Sequence, residues 1–152
     1  MNKDKKKILK KNPASDCVFC KIISGEIPTD SKIYEDKHAF VFLTIAPVNP
    51  GHALVIPKKH FANIYEFSDI DLAKIAPTIK KAAIAVKGSM KAGGINLFMN
   101  NDHTAGQVVF HAHWHIVPRH QGDGLKVWEA DKKYKDGEAK EVAKKIKTAW
   151  KK

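Results

Sequence analysis

The sequence predicts an α+β domain, with a five-stranded, mainly antiparallel sheet, one long helix and a C-terminal helix. Three observations lead there. Short runs rich in Val, Ile, Phe and Leu are separated mostly by short polar turns, the pattern of antiparallel strands. One apolar stripe (Leu72, Ile75, Ile79, Ala82, Val86, Met90) recurs at spacings of three and four, the helical period. From about Gly137 to the end, Val142, Ile146 and Ala149/Trp150 again share one helical stripe.

Taken in order, residues 1–12 are polar and charged, end before Pro13, and read as a basic disordered tail. Residues 13–152 read as a single domain. Asp16 is a candidate N-cap for a short helix over Cys17–Ile23, which Gly25 stops and Pro28 keeps from resuming. Lys32–Glu35 and Ala39–Leu43 are strand-like, joined by the turn Glu35-Asp36-Lys37-His38. Pro47, Asn49, Pro50 and Gly51 make a loop, and His52–Ile56 is a third strand closed by Pro57. Ser68 begins the long helix, with Asp69 and Asp71 at its positive end. Pro77 should kink it or remove one hydrogen bond, and Gly93-Gly94 should end it. Ile95–Met99 is a fourth strand. Asn100–Gly106 is a polar loop in which His103 is expected to be solvent-exposed. Val108–Val117 is the fifth strand, and Gly122-Asp123-Gly124 a turn. Trp128 either covers a site or packs at an interface.

The net charge is +11, but the body between residues 13 and 131 is neutral and the excess lies at the two ends. Such ends attract polyanions such as RNA or DNA, or simply form a solvated lysine-rich face. Arg119 is the only arginine, which nearly excludes bidentate base reading. No apolar run approaches the roughly 18 residues of a membrane span. No apolar segment follows the N-terminal lysines as a secretory signal requires, so the cytoplasm is the expected compartment.

The chemistry concentrates in His111-Ala112-His113-Trp114-His115. On a strand, alternate side chains share a face, so the three imidazoles line up with Val109 and Val117. Phe110, Ala112, Trp114 and Ile116 form the opposite, apolar face. The outer imidazoles would lie roughly 13 Å apart, too far for all three to reach one ion without a bend. Three readings compete: structural histidines, metal ligands, and phosphate chemistry in which one imidazole attacks phosphorus while its neighbours donate. Cys17 and Cys20 form one C-x-x-C, read as a shared ion site, a dithiol pair or two free thiols.

The run His-φ-His-φ-His-φ-φ, with φ apolar, resembles the signature of the histidine triad (HIT) nucleotide hydrolases and transferases. Residues 16–28, 34–63 and 100–124 resemble bacterial members of the phosphoramidase branch. This resemblance implies the α+β plan and a homodimer with a continuous sheet. It implies a nucleotidyl-histidine on His113, formed by attack at the α-phosphate of a nucleoside phosphoramidate or a (di)nucleoside polyphosphate. His115 would contact phosphate and leaving group, with His111 and His52 in support. Thr44, Ile45, Asn100, Gly106, Gln107 and Val108 match positions on the phosphate and ribose side. Phe19, Ile22 and Phe42 match the apolar positions around a purine base, although by sequence alone they would be core. Cys17, Cys20, His60 and His111 match the ligands of a structural zinc ion.

Two positions depart from the family pattern. Thr44 stands where the family commonly has an aspartate that takes both ribose hydroxyls. Val108 stands where a serine or threonine follows the glutamine. These departures raise one alternative to an efficient hydrolase, a nucleotide-binding adaptor with little turnover; the basic termini raise another, removal of adenylyl groups from nucleic-acid ends that they would hold.

Overall fold

The computed structural model describes residues 15–126 and 132–150. The basic tail and Trp128 lie outside them. The elements are α1 (Val18–Ser24), β1 (Lys32–Glu35), β2 (Ala39–Leu43), β3 (Ala53–Pro57), α2 (Asp69–Ser89), β4 (Gly94–Phe98), β5 (Trp114–Arg119) and α3 (Glu138–Trp150). Single 3-10 turns at Ile64–Glu66 and His103–Ala105 interrupt the loops. The strands form one antiparallel sheet in the order β1-β2-β3-β5-β4. β3 and β4 therefore run parallel, joined through α2, with β5 inserted between them.

Alternation along the strands builds two cores, one on each face of the sheet. Ala39, Val41, Ala53, Val55 and Ile116 face α2, which contributes Ile75, Ile79, Ala82 and Val86. Leu72 and Met90 pack at the edge of this cluster, so the whole predicted stripe is used. Phe40, Phe42, Leu54 and Ile56 face the other way and bury Phe19 of α1. β2 and β3 are apolar on both faces because both are covered.

Several boundaries differ from the sequence expectation. α1 is capped by Cys17, not Asp16, and without a side-chain hydrogen bond; its C-cap is Gly25 in the left-handed region, as expected. α2 begins at the predicted cap, where Ser68 Oγ accepts from the Asp71 N–H at 3.1 Å. It runs unbroken through Pro77 and ends at Ser89, before the glycines, because Lys91 already turns to positive φ. Pro77 lies on the exposed side of the helix.

α3 forms as its periodicity predicts, yet it does not join the sheet: none of its residues is buried, and Ile146 and Trp150 are exposed. Among the described residues no helix is long and apolar enough to cross a membrane.

Candidate active site and metal centre

The largest correction concerns the histidine strand. A single strand over Val108–Val117 is not formed; β5 starts at Trp114 and runs on to Arg119. Continuing the β3–β5 register would set Pro57 opposite Ala112, and proline has no N–H to donate. The chain bonds elsewhere instead. The Ala112 N–H donates to the Phe61 carbonyl at 2.7 Å, and the His111 N–H to the Val109 carbonyl at 2.9 Å. The apolar stripe opposite the histidines is broken accordingly. Ala112 and Ile116 are buried and Trp114 packs on the α2 core, but Phe110 turns outward against the ring of His103.

This break bends the row of imidazoles and divides its work. His111 is buried and faces away from its partners. Its Nε2–H donates to the Pro57 carbonyl at 2.9 Å, which leaves the Nδ1 lone pair free. That nitrogen lies 3.4 Å from Cys17 Sγ and 3.5 Å from Cys20 Sγ, and Cys20 Sγ lies 3.3 Å from His60 Nδ1. The donor atoms of Cys17, Cys20, His60 and His111 all fall within 4.8 Å of one another. A tetrahedral zinc site with Zn–S bonds of about 2.3 Å and Zn–N bonds of about 2.0 Å has S···N edges of about 3.6 Å, so the four residues fit such an ion. Burial, then the neighbouring Cys17, pushes the Cys20 thiol up to about 11, so a metal must displace its proton.

His113 and His115 turn toward each other, with ring centroids 5.0 Å apart. The Nδ1–H of His113 donates to the His111 carbonyl at 2.7 Å. A carbonyl only accepts, so the proton must sit on Nδ1 and Nε2 carries a lone pair. Behind His115 stands His52, whose Nε2 lies 2.9 Å from His115 Nδ1. The Val48 N–H donates to His52 Nδ1 at 3.4 Å, so His52 carries its proton on Nε2 and gives it to His115. His115 is then protonated on Nε2. Among the described residues no protein group bonds the Nε2 atoms of His113 and His115. Burial, followed by the fields of His113 and His52, pushes His115 down to about 4. Burial also lowers His52 and His113, the latter against its bond to the His111 carbonyl. At neutral pH the site therefore holds uncharged rings with assigned tautomers, a lone pair beside an N–H donor.

Aromatic side chains hold these rings. Phe19 meets His113 and His111 edge-on, at 5.4 and 5.8 Å. Phe98 stacks on His115 at 4.7 Å and 13°. Sequence reasoning missed Phe98; the signal was its register, because β4 pairs Phe98 directly with His115.

The residues expected on the substrate side are divided. Gln107 does not offer its amide outward. It is buried; its Nε2 donates to the carbonyls of Ala62 (2.6 Å) and Val109 (3.0 Å), and its Oε1 accepts from the Asp102 N–H (2.8 Å). These bonds tie the loop before the triad to Ala62 and to its own backbone at Asp102 and Val109. Gly106 takes φ +87, and Asn100 Nδ2 reaches its carbonyl at 3.4 Å. Thr44 Oγ1 accepts from the Ala46 N–H at 3.4 Å, while Ile45 and Val108 are exposed. Phe42 is buried in the cluster behind Phe19, and Ile22 packs against that cluster.

A HIT domain model matches residues 24–122. This chain belongs to the HIT, or histidine triad, family. It is 47% identical to "Protein hit" of Bacillus subtilis over 118 residues, covering 76% of this chain and 81% of that one. It is 44% identical to the adenosine 5'-monophosphoramidase of Schizosaccharomyces pombe over 103 residues, covering 68% and 74%. Among solved structures it resembles a Streptococcus mutans protein with a TM-score of 0.83, at 40% identity and coverage of 88% and 85%. It also resembles a Zn-bound histidine triad family protein of Mycobacterium smegmatis, with a TM-score of 0.68, 33% identity and coverage of 90% and 99%. The HIT fold expected from the triad is thus the fold observed.

Proposed function

We propose that this HIT protein is a nucleotide-binding hydrolase or transferase that cleaves a nucleoside phosphoramidate or (di)nucleoside polyphosphate at the α-phosphate. The observation that carries the reading is the hydrogen bond from His113 Nδ1 to the His111 carbonyl, which places the lone pair on Nε2, an atom with no protein partner among the described residues. That nitrogen attacks the α-phosphorus, the bond to the leaving group breaks, and water then hydrolyses the nucleotidyl-histidine to regenerate the ring. The Nε2–H of His115 donates to the phosphate oxygens as charge gathers there. At position 108 only the backbone N–H can donate, since the valine side chain has no donor. A purine ring would pack against the apolar side chains near Phe19, Ile22 and Phe42.

Cys17, Cys20, His60 and His111 would hold zinc as a closed Cys2His2 site, which supplies structural cross-linking rather than Lewis acidity. Its ligand His111 is the residue whose carbonyl orients His113, so the metal centre and the nucleophile share one backbone unit. β4 is an edge strand with one side unpaired, which supports a homodimer formed by pairing with a second copy. The cytoplasm is the compartment proposed, and the lysine-rich ends make at most a weak contact with polyanions.

The test is trapping. The protein is mixed with adenosine 5'-phosphoramidate, quenched in base and digested, and the His113 peptide is weighed. An adenylyl adduct there, absent from His113→Ala, is the expected result. No adduct and no substrate consumption would instead support the second reading, a nucleotide-binding adaptor. That reading draws on Thr44, whose hydroxyl is engaged by the Ala46 N–H, and on the exposed Val108.

A further inference from the structure

The chain's only arginine, Arg119, ends β5 in a network of side-chain and backbone hydrogen bonds. Arg119 donates through Nε and Nη2 to both carboxylate oxygens of Asp123, at 2.7 and 2.8 Å, and through Nη1 to Asn96 Oδ1. Asp123 also accepts from the backbone N–H groups of His120 and Leu125, and from Asn49 Nδ2 at 3.0 Å. The same Asn49 amide donates to the Pro118 carbonyl at 2.8 Å. None of this lies in the triad, yet it leads there. The Asn49 carbonyl accepts from the His52 N–H at 3.1 Å, and the neighbouring Val48 N–H donates to His52 Nδ1. The loop is pinned from below as well: Gly51 sits at φ +89, where a Cβ would meet Met90 at 2.5 Å.

We propose that Asn49, held by Asp123 and the Pro118 carbonyl, is a positioning residue: it holds the loop that aims the Val48 N–H at His52 Nδ1, and thereby sets whether the His115 Nε2 that faces the phosphate carries the proton. The chain of reasoning is one of donors and acceptors. A backbone N–H can only donate, so His52 Nδ1 must accept and its proton must sit on Nε2. His115 Nδ1 then accepts that proton's hydrogen bond, and the His115 proton must sit on Nε2. Release of the loop frees His52 to take the other tautomer. His115 would then point a lone pair at a phosphate oxygen, two acceptors face to face. No proton is gained or lost in this arrangement; only its position is chosen. The proposal rests on the hydrolase reading for its consequence, but the tautomers themselves do not.

The test uses the full chain labelled with 15N-histidine, with its tautomers read from long-range 1H–15N correlations. In the wild type, His52 and His115 should each show a protonated Nε2 and a bare, pyridine-type Nδ1. In Asn49→Ala both rings should become tautomer mixtures. The kcat for adenosine 5'-phosphoramidate should fall about 10–100-fold while KM changes no more than about threefold, as for misplacement of a group acting in the transition state. A wild-type His52 protonated on Nδ1 overturns the proposal without any variant. So does an Asn49→Ala protein whose tautomers are unchanged, whether or not its rate falls. A wild type that shows the expected tautomers, loses them in Asn49→Ala and yet consumes no substrate supports the positioning role and removes the hydrolase reading instead.

Discussion

Replacing Gln107 by leucine separates two roles that its place in the triad motif leaves open. Leucine nearly matches the volume of glutamine, so the cavity contribution is small. Three hydrogen bonds are lost: those to the Ala62 and Val109 carbonyls and that from the Asp102 N–H. At about 1 kcal/mol net for each, the loss is about 3 kcal/mol. For a chain of this size that corresponds to a fall in Tm of about 10 °C. Thermal unfolding followed by circular dichroism measures it, with KM for a nucleoside phosphoramidate measured alongside. If Gln107 were a free donor to the substrate, as its position next to the triad suggests, the variant would melt within about 2 °C of the wild type, because exposed substitutions rarely cost more than a few tenths of a kcal/mol. KM would then carry the whole effect. That outcome would refute the buried network as the reason for the residue.

Three further outcomes are expected. Cys20→Ser should reduce bound zinc, read by elemental analysis of the purified protein, from one per chain to a small fraction, because one of the four donors is lost. Phe19→Ala should cost about 3–5 kcal/mol in urea unfolding and reduce turnover as well, since the ring fills the second core and supports both His111 and His113. Thr78→Val should cost about 1 kcal/mol at neutral pH through the lost bond to Asp36 Oδ2, and less in acid. Burial works against the Asp36 carboxylate, but the His38 N–H, the Thr78 hydroxyl and the Ala39 N–H together hold it below 3.8. Its stabilising contribution is therefore present above that value and fades as pH falls through the folded one. Urea midpoints of the two proteins should converge on acidification, and curves that stay parallel would contradict this assignment.

Much of this molecule was legible in the residues alone, and for identifiable reasons. β1 and β2 lie where alternation and turn residues put them, because strands confined to local turns have few other registers. The α2 stripe reaches the core as read, since a period of three and four has one buried solution. Cys17, Cys20, His60 and His111 converge into one cluster, as the family resemblance implies for metal ligands. What could not be read was pairing at a distance. The histidine strand breaks at Ala112 because a proline 55 residues earlier would be its partner, a fact of register rather than composition.

Composition and motif by themselves therefore determined the fold class, the family and the candidate site residues, because hydrophobic period and residue type are local properties. Only the tertiary structure decided which neighbours each of those side chains meets. It spent Gln107 on the backbone, turned His111 toward the cysteines, and stacked Phe98 on His115. It also left the apolar stripe of α3 without a buried residue. The physical reason is the same in each case. A polar group's role depends on which partners reach it once water is excluded, and an apolar stripe's on what lies opposite. Those neighbours come from remote parts of the chain.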